Sequence, residues 1–220
     1  MPEEVKPRRR GYHSPLRQGQ AENTRRTVVS AARQLFLANG YAGTSISAVA
    51  AAAGVSPDTV YVIFGGKRGL IDAVINSEVH PDEEADTGWA AAIERLPSAR
   101  DRLRAWVAHT CDHLARTSPV HAIIRGAADA EPFAAELRTK LLQERRSLQA
   151  DRARQFLDEG SLHAGLSVLE AADRYSALLS PDLYHLITAE LGWPPDRYRN
   201  WVTSLLIADL LDRSDQEVQV

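Results

Sequence analysis

Two histidines, His109 and His113, lie one helical turn apart, a spacing that can place two imidazole nitrogens on one metal ion. No third ligand at a matching spacing is evident, because Cys111 would point to another side of the helix. The sequence also contains no nucleophile elbow, phosphate-binding loop, H-E-x-x-H segment or paired-cysteine motif. We therefore predict no metal site, no cofactor and no catalytic residue, and we expect that the protein is not an enzyme.

A second set of candidate functional residues is cationic and lies near the N-terminus. Arg8, Arg9 and Arg10 can neutralise DNA phosphates or reach into a minor groove. Residues 1–20 contain prolines and glycines with few apolar side chains, which predicts that this arm is disordered in the free protein. A solvated tail that only aids solubility would have the same composition, so both interpretations of the arm stay open.

Residues 45–64 show the pattern of two short helices joined by a tight turn. Ser45 can cap the first helix by accepting a backbone N–H bond, and Gly54 suits the left-handed residue that ends it. Ser56 is a second cap, followed by Pro57 at the first helical position, where its missing N–H costs nothing. The first helix has one apolar face, made of Ile46, Val49, Ala50 and Ala53. Such a pair is a helix-turn-helix, whose second helix can enter a DNA major groove.

Over about residues 21–76 the chain resembles the N-terminal domain of TetR-type transcriptional regulators. The resemblance is carried by Gly40, Tyr41, Ser45, Ile46, Val49, Ala50, Ala53, Gly54, Val55, Ser56, Thr59, Val60, Tyr61, Phe64, Lys67 and Leu70. Two positions depart from the family's usual pattern: Asp58 replaces a frequent glycine, and Ile63 replaces a frequent histidine. The resemblance implies an all-α fold, with a three-helix DNA-binding domain followed by a larger helical domain for ligand binding and dimerisation.

The predicted DNA contacts centre on the second helix of the pair. The resemblance assigns the hydroxyls of Thr59 and Tyr61, and the ammonium of Lys67, to phosphate contacts; a plain surface lysine is the alternative for Lys67. Asp58 can accept a hydrogen bond from cytosine N4, or it can occupy the favourable first turn of a helix, which we favour. Val62 is also expected to be exposed. The complete predicted set is Ser45, Ser47, Ser56, Pro57, Asp58, Thr59, Tyr61, Lys67, Arg8, Arg9 and Arg10.

Charge is distributed unevenly along the 220 residues. Residues 1–76 hold 10 Lys+Arg and 5 Asp+Glu, a net of +5, whereas residues 77–220 hold 16 and 24, a net of −8. A basic N-terminal portion on an acidic body is typical of a protein that meets a polyphosphate at one end. The polar, acidic residues 77–88 mark the predicted boundary. We predict a basic arm over 1–20, a DNA-binding domain over 21–80 and a regulatory and dimerisation domain over 81–220.

The remaining composition is ordinary for a soluble globular protein, with 44% hydrophobic and 25% charged residues. No apolar run approaches the roughly 20 residues that a membrane span needs, and no apolar stretch follows the basic N-terminus. The single cysteine, Cys111, cannot form an internal disulfide. These features favour a cytoplasmic location without a membrane partner.

Helical periodicity extends through the chain, without the alternation of a strand. Pro119 is predicted to separate two helices, because a proline inside a helix removes a hydrogen bond. Outside the helix-turn-helix, the predicted helices are 22–38, 67–76, 84–95, 99–117, 119–129, 132–158, 167–179, 181–191 and 195–212.

Two apolar stripes close to the C-terminus favour a homodimer. One consists of Val168, Ala171, Ala172, Tyr175, Leu178 and Leu179, and the other of Trp201, Leu205, Leu206, Ala208 and Leu210. They are more apolar than the surface of one chain tolerates. An internal core would give the same pattern, so dimerisation depends mainly on the family resemblance.

Polar groups beside apolar helix faces are the candidates for effector binding. Arg145 and Arg152 can anchor an acidic ligand group, although such arginines often pair with a carboxylate. Trp106 and His113 lie at the margin of another face; for Trp106 we favour core packing over lining a pocket. Tyr175, on the first apolar stripe, completes the set of five ligand-binding candidates.

Three function classes follow from these patterns. The leading hypothesis is a ligand-responsive repressor that binds a palindromic operator in double-stranded DNA as a homodimer and responds to an unidentified small molecule. An activator would have the same sequence features. A helical protein-interaction module with a degenerate helix-turn-helix is the alternative, kept open by Asp58 and the plain alanine face of residues 48–53. A helical enzyme finds little support.

Overall fold

The computed structural model describes residues 15–79, 87–128 and 131–212. Within these ranges the chain is helical, and its β-structure is limited to one bridge between Leu162 and Leu211. The helices are α1 Pro15–Asn39, α2 Ile46–Ala53, α3 Pro57–Phe64, α4 Lys67–Val79, α5 Thr87–Glu94, α6 Ala99–Ala128, α7 Pro132–Asp158, α8 Val168–Leu178, α9 Pro181–His185 and α10 Pro195–Leu210. A π-helical turn, Leu186–Glu190, continues α9. The predicted all-α fold class is confirmed.

Helix α1 begins at Pro15, seven residues before the predicted start at residue 22. The expectation of disorder throughout residues 1–20 is therefore wrong for residues 15–20. Proline suits the first turn of a helix, and the following residues, apart from Gly19, are good helix formers. Residues 1–14, with Arg8, Arg9 and Arg10, lie outside the described residues.

The buried face of α1 organises the N-terminal core. Val28, Ala32 and Phe36 are fully buried, as the helical spacing predicts, and α1 packs against α2 and α4. Gly40 ends the helix in the left-handed conformation, at φ +71°. Thr44 then fastens this end, because its buried hydroxyl donates to the carbonyls of Leu35, at 3.1 Å, and Gly40, at 2.9 Å. The start of α2 is thereby fixed against the end of α1.

Helix α6 runs through Pro119, so the predicted break into two helices at this residue is wrong. Proline cannot donate to the carbonyl of Ala115, four residues earlier. Ala115 lies on the exposed side of the helix, where water can bond the freed carbonyl. Burial of Val120 and Ile124 on one side of the proline and of Leu114 on the other keeps both halves helical.

The hydrophobic core has two parts, and α6 contributes to both. Its first half, with Leu103 and Val107, packs with α8 and α10 in a C-terminal cluster. Its second half, with Val120 and Ile124, packs with α1 and α4 in an N-terminal cluster, which Ala134 of α7 joins. The N-terminal cluster therefore unites the first four helices with segments beyond residue 119 (Ile123, Ala127, Phe133, Leu137 and Leu141).

The two apolar stripes near the C-terminus are mainly internal, so the alternative of an internal core accounts for most of them. Ala171, Ala172, Tyr175, Leu179, Leu206 and Leu210 are all buried within the chain. Leu205, at 39% exposure, and Ala208 remain at the surface. Because α8 and α10 pack on α6 and α7, these stripes form an internal core and do not by themselves require a partner.

Candidate functional sites

The turn between α2 and α3 has the geometry of a helix-turn-helix. The Ser45 hydroxyl accepts a hydrogen bond from the Ala48 N–H at 3.1 Å, and Gly54 ends α2 in the left-handed conformation at φ +68°. The Ser56 hydroxyl accepts from the Thr59 N–H at 3.1 Å, with Pro57 in the first turn of α3. The chain turns through 106° between α2 and α3. All four local signals in the sequence are confirmed.

Replacing Gly54 by alanine is expected to destabilise the protein by about 1 kcal/mol, because a Cβ disfavours the left-handed conformation. A methyl group at this position would meet open space, so the cost is one of backbone conformation. Gly126→Ala is the matched control: this glycine is also uncrowded but lies within α6, and alanine there is expected to stabilise by about 0.4–1 kcal/mol. Urea denaturation of both variants checks the prediction, and equal shifts would contradict it.

Helix α3 buries one face and presents the other to solvent. Val60 and Phe64 enter the N-terminal core, whereas Tyr61 is 54% and Val62 is 86% exposed. An apolar side chain this exposed can contact a thymine methyl group in the major groove. Val62 stands outside the predicted contact set, although it is the most exposed large hydrophobic residue among those described.

The other residues that were predicted to contact DNA differ in how exposed their side chains are. Ser45, Ser47, Ser56, Pro57 and Asp58 are exposed. Thr59 is half-buried, and its hydroxyl lies 2.9 Å from the Ser56 hydroxyl, which also caps α3. These two hydroxyls therefore stabilise the start of α3. A phosphate contact from either hydroxyl would be made alongside the hydrogen bond between them.

Lys67 stands at the start of α4, beside the turn that follows α1. Its ammonium lies 4.3 Å from the ring centroid of Tyr41 and donates to the Ala42 carbonyl at 3.4 Å. Burial lowers the pKa of Lys67, and the negative charge of Glu131 opposes that change. The side chain is thus held in a fixed position with spare donors, which suits a contact to a phosphate oxygen.

A further arginine lies against α3 that the sequence did not single out. The guanidinium of Arg25, an exposed residue of α1, lies 5.0 Å from the ring centroid of Phe64. It places positive charge beside the C-terminal end of α3. Only the crossing of α1 and α3 brings these residues together, so no spacing along the chain could have indicated the contact.

A second candidate site is a cavity of about 620 Å³ between α6 and α7. Trp89 of α5 closes one side, and Leu179 and Pro181 close another. The other lining residues are His109, Thr110, His113, Leu114, Arg116, Thr117 and His121 from α6, and Leu141, Glu144, Arg145, Ser147, Leu148, Gln149 and Arg152 from α7. Its volume suits a small organic ligand.

Three of the five predicted ligand-binding residues line this cavity: His113, Arg145 and Arg152. Trp106 and Tyr175 are not among its lining residues, and for Trp106 this agrees with the core-packing role that the sequence favoured. Trp106 is 7% exposed and lies beneath Arg152, whose guanidinium is 3.6 Å from the indole centroid. Tyr175 is buried behind the wall, and burial raises the pKa of its phenol.

Sequence reasoning missed two lining residues of particular interest, Trp89 and His121. His121 follows Pro119, so a predicted helix break hid the fact that it shares a helix with His113. Burial, with the positive charge of Arg145, lowers the pKa of His121 to about 4. The imidazole is therefore neutral at pH 7. Trp89 stacks on His109 with ring centroids 3.5 Å apart.

The histidine pair on α6 contributes to this wall. Among the residues that the structure describes, no group of three His, Cys, Asp or Glu side chains is placed to hold a metal ion. Cys111 is buried, and burial raises the pKa of its thiol to about 11.

No single helix in the described ranges is long and apolar enough to cross a membrane. Only α2 and α3 taken together have the required length and composition, and the chain bends sharply between them.

Comparison with known proteins places the N-terminal residues in a family. The family described as "Bacterial regulatory proteins, tetR family" matches residues 28–74. The HTH-type transcriptional regulator SrpR of Pseudomonas putida is 38% identical over 87 residues, 36% of this chain and 41% of that protein. UidR of Escherichia coli K12 is 38% identical over 58 residues, 26% of this chain and 30% of that protein. The chain thus matches less than half the length of these two relatives.

Solved structures share the fold over most of the chain. NalD of Pseudomonas aeruginosa, described as the secondary repressor of the MexAB-OprM multidrug efflux pump, superposes with a TM-score of 0.65 and 21% identity, covering 87% of this chain and 98% of NalD. A regulator from Saccharomonospora viridis, solved with choline, gives a TM-score of 0.68 at 18% identity, covering 87% and 100%. Residues 28–74 therefore resemble the tetR family of bacterial regulatory proteins, and the chain shares the fold of these solved structures.

Proposed function

We propose that this protein is a transcriptional repressor that binds a palindromic operator in double-stranded DNA as a homodimer and releases it when a small molecule occupies the cavity. The observation that carries the proposal is the capped helix pair of α2 and α3, with the exposed face of α3 beside Lys67. A helix presented in this way can lie in a major groove while flanking donors contact phosphates. The named relatives support the proposal, since they are regulators, and NalD is described as a repressor.

The helices that line the cavity also pack on the DNA-binding domain, which supports control by a ligand. Leu141 lines the cavity and packs against the N-terminal cluster. At the start of α7, the Phe133 ring lies 5.5 Å from Tyr41 and 5.3 Å from the Arg68 guanidinium, measured to ring centroids. A ligand that prefers a different spacing of α6 and α7 would shift the N-terminal domain, in proportion to its preference for that state.

Dimerisation follows from the proposed operator. Two recognition helices must lie about 34–36 Å apart to read successive major grooves on one side of the duplex. Exposed leucines on α8 and α10, Leu169 at 57% and Leu205 at 39%, offer apolar surface for a second copy. The regulator from Saccharomonospora viridis was solved with choline bound, which supports the presence of a small-molecule site in this chain.

Footprinting of the purified protein on the DNA upstream of its own gene, at two salt concentrations, tests the proposal. A protected palindrome of roughly 15–30 base pairs is expected, with occupancy that falls as salt rises. A genome-wide pool of fragments extends the search to operators elsewhere. Failure to select any fragment from that pool would overturn the proposal and favour the protein-interaction module.

A substitution at Asp58 distinguishes between the two roles considered for this residue, at the start of α3 or in contact with a cytosine. It is exposed in the first turn of α3, and among the described residues it makes no ion pair. If it only occupies the helix start, Asp58→Asn removes repulsion from phosphates, and both operator and random DNA should bind more tightly, by roughly fivefold for a dimer. Asp151→Asn, an exposed aspartate of α7, is the control. Weaker operator binding with tighter random binding would instead assign Asp58 to a cytosine.

A further inference from the structure

The cavity between α6 and α7 has an excess of positive charge. Among the described residues, three arginines line it, Arg116, Arg145 and Arg152, against one carboxylate, Glu144, so these four side chains carry a net charge of +2. Glu144 also pairs with Lys140 at 3.7 Å. Cationic groups at a partly enclosed site are unfavourable unless an anion accompanies them, so the cavity favours an anionic occupant over a cationic one.

Arg145 is the group that most lacks such a partner. Its side chain is half-buried, and burial lowers the pKa of its guanidinium. Among the described residues, no carboxylate lies within 4.0 Å of it and no hydrogen-bond acceptor engages it. Asp182, whose charge acts on Arg145, is already bonded to Arg125 at 2.8 Å and to Arg138 at 3.0 Å. The guanidinium therefore keeps donors available to a ligand.

Arg152, which is also half-buried, has more hydrogen-bond and ring contacts than Arg145. It donates to the Gln149 side-chain oxygen at 2.8 Å and stacks on the Trp106 ring at 3.6 Å. Burial lowers the pKa of Arg152, and the nearby Tyr175 hydroxyl opposes that change. These contacts fix Arg152 in the cavity wall, so that the anchor for a single anionic group is Arg145.

Most of the exposed area of the wall is apolar. Leu114, Leu141, Leu148 and Leu179 contribute aliphatic surface, and the stacked pair of Trp89 and His109 adds an aromatic surface. Leu148 remains 58% exposed, which leaves apolar area for a ligand to cover. A fully hydrophilic anion would not use this surface, whereas a molecule with an apolar body would.

We propose that the cavity binds an apolar monocarboxylate, whose carboxylate accepts hydrogen bonds from the Arg145 guanidinium and the His121 imidazole, and whose apolar body lies along Leu114, Leu148 and Trp89. A planar guanidinium matches a carboxylate with two parallel hydrogen bonds. His121 is neutral and can donate one more bond from a ring nitrogen. This inference rests on the proposed function, because it names the chemical class of the effector that the same cavity would take.

Isothermal titration calorimetry on the full chain, without DNA, tests the inference. The probes are decanoate and naphthoate, with decanamide and naphthamide as neutral matches and naphthylmethylammonium as the cationic match. We expect the carboxylates to bind and their matches to bind at least tenfold more weakly. Arg145→Gln should weaken carboxylate binding by roughly 10- to 100-fold, as expected for loss of a charge-assisted pair.

Arg146→Gln is the matched control. This neighbour on α7 is exposed and pairs with Asp173 outside the cavity, so its loss should leave carboxylate affinity unchanged. A thermal melt of each variant without ligand checks that both fold. Equal binding of carboxylates and amides, equal affinity in Arg145→Gln, or no binding of any probe would overturn the inference.

The same reagents separate this inference from the proposed function. An operator footprint together with absent carboxylate binding would overturn the ligand class and leave DNA recognition supported. Carboxylate binding that depends on Arg145 but does not release the operator would support the ligand class and overturn the ligand-controlled part of the proposed function.

Discussion

Phe36→Ala is expected to destabilise the protein by about 3–5 kcal/mol, the cost of a large cavity in a packed core. Phe36 is fully buried in the N-terminal cluster, and its ring lies 5.7 Å from that of Tyr41. Tyr41 in turn contacts Phe133 of α7 at 5.5 Å. The truncation therefore removes support from the N-terminal domain and from its contact with α7. Urea denaturation measures the loss, and operator binding should fall with it.

Leu37→Ala provides the matched control, on the next residue of the same helix. Leu37 is 39% exposed, so its truncation leaves no enclosed cavity and should cost about 1 kcal/mol or less. A comparable loss in both variants would mean that α1 does not bury the face described. Leucine and phenylalanine differ in helix propensity by less than about 0.7 kcal/mol, which is too little to account for the expected difference between the two variants.

Lys67→Ala is expected to weaken DNA binding to all sequences alike, with a reduced dependence on salt. Each phosphate contact that is lost lowers the slope of log affinity against log salt by about 0.9, so a dimer should lose about 1.8. At 0.1 M salt this corresponds to roughly 60-fold weaker binding. Lys67 already donates to Ala42 and lies over Tyr41, so its position is set before DNA arrives. Titrations at several salt concentrations measure the slope.

Lys140→Ala removes the same charge from the C-terminal half of the chain. Its side chain is 70% exposed on α7 and pairs only weakly, at 3.7 Å, with Glu144. For this variant we expect the slope of log affinity against log salt to equal that of the unsubstituted protein. An unchanged slope in Lys67→Ala as well would remove Lys67 from the DNA interface, and an equal reduction in both would indicate a general effect of net charge.

Local signals determined the helix-turn-helix from sequence alone. A capping hydroxyl, a left-handed glycine and a proline in the first turn act within three or four residues. They can therefore be read without knowledge of distant contacts, and Ser45, Gly54, Ser56 and Pro57 all lie where the sequence placed them. The same reasoning gave the bounds of α7, Pro132–Asp158, to the residue.

Local signals misled where tertiary packing outweighed them. Pro119 is tolerated within α6 because the flanking residues are buried in two clusters and the freed carbonyl faces outward. The apolar residues of α8 and α10 have the same spacing whether they face a partner or their own core, and here packing on α6 and α7 covers most of them. Sequence periodicity identifies an apolar face but not its neighbour.

The cavity most clearly separates what the sequence determined from what the tertiary structure decided. The sequence indicated that Arg145 and Arg152 lie beside an apolar face. The positions of the arginines and of the face both follow from the residue spacing along a single helix. Only the tertiary structure decided that Trp106 and Tyr175 lie behind the wall, that His121 faces Arg145, and that Asp182 is bonded to other arginines. These relations join α6, α7, α8 and α9, and contacts between helices depend on how they cross, which no spacing along a single helix contains.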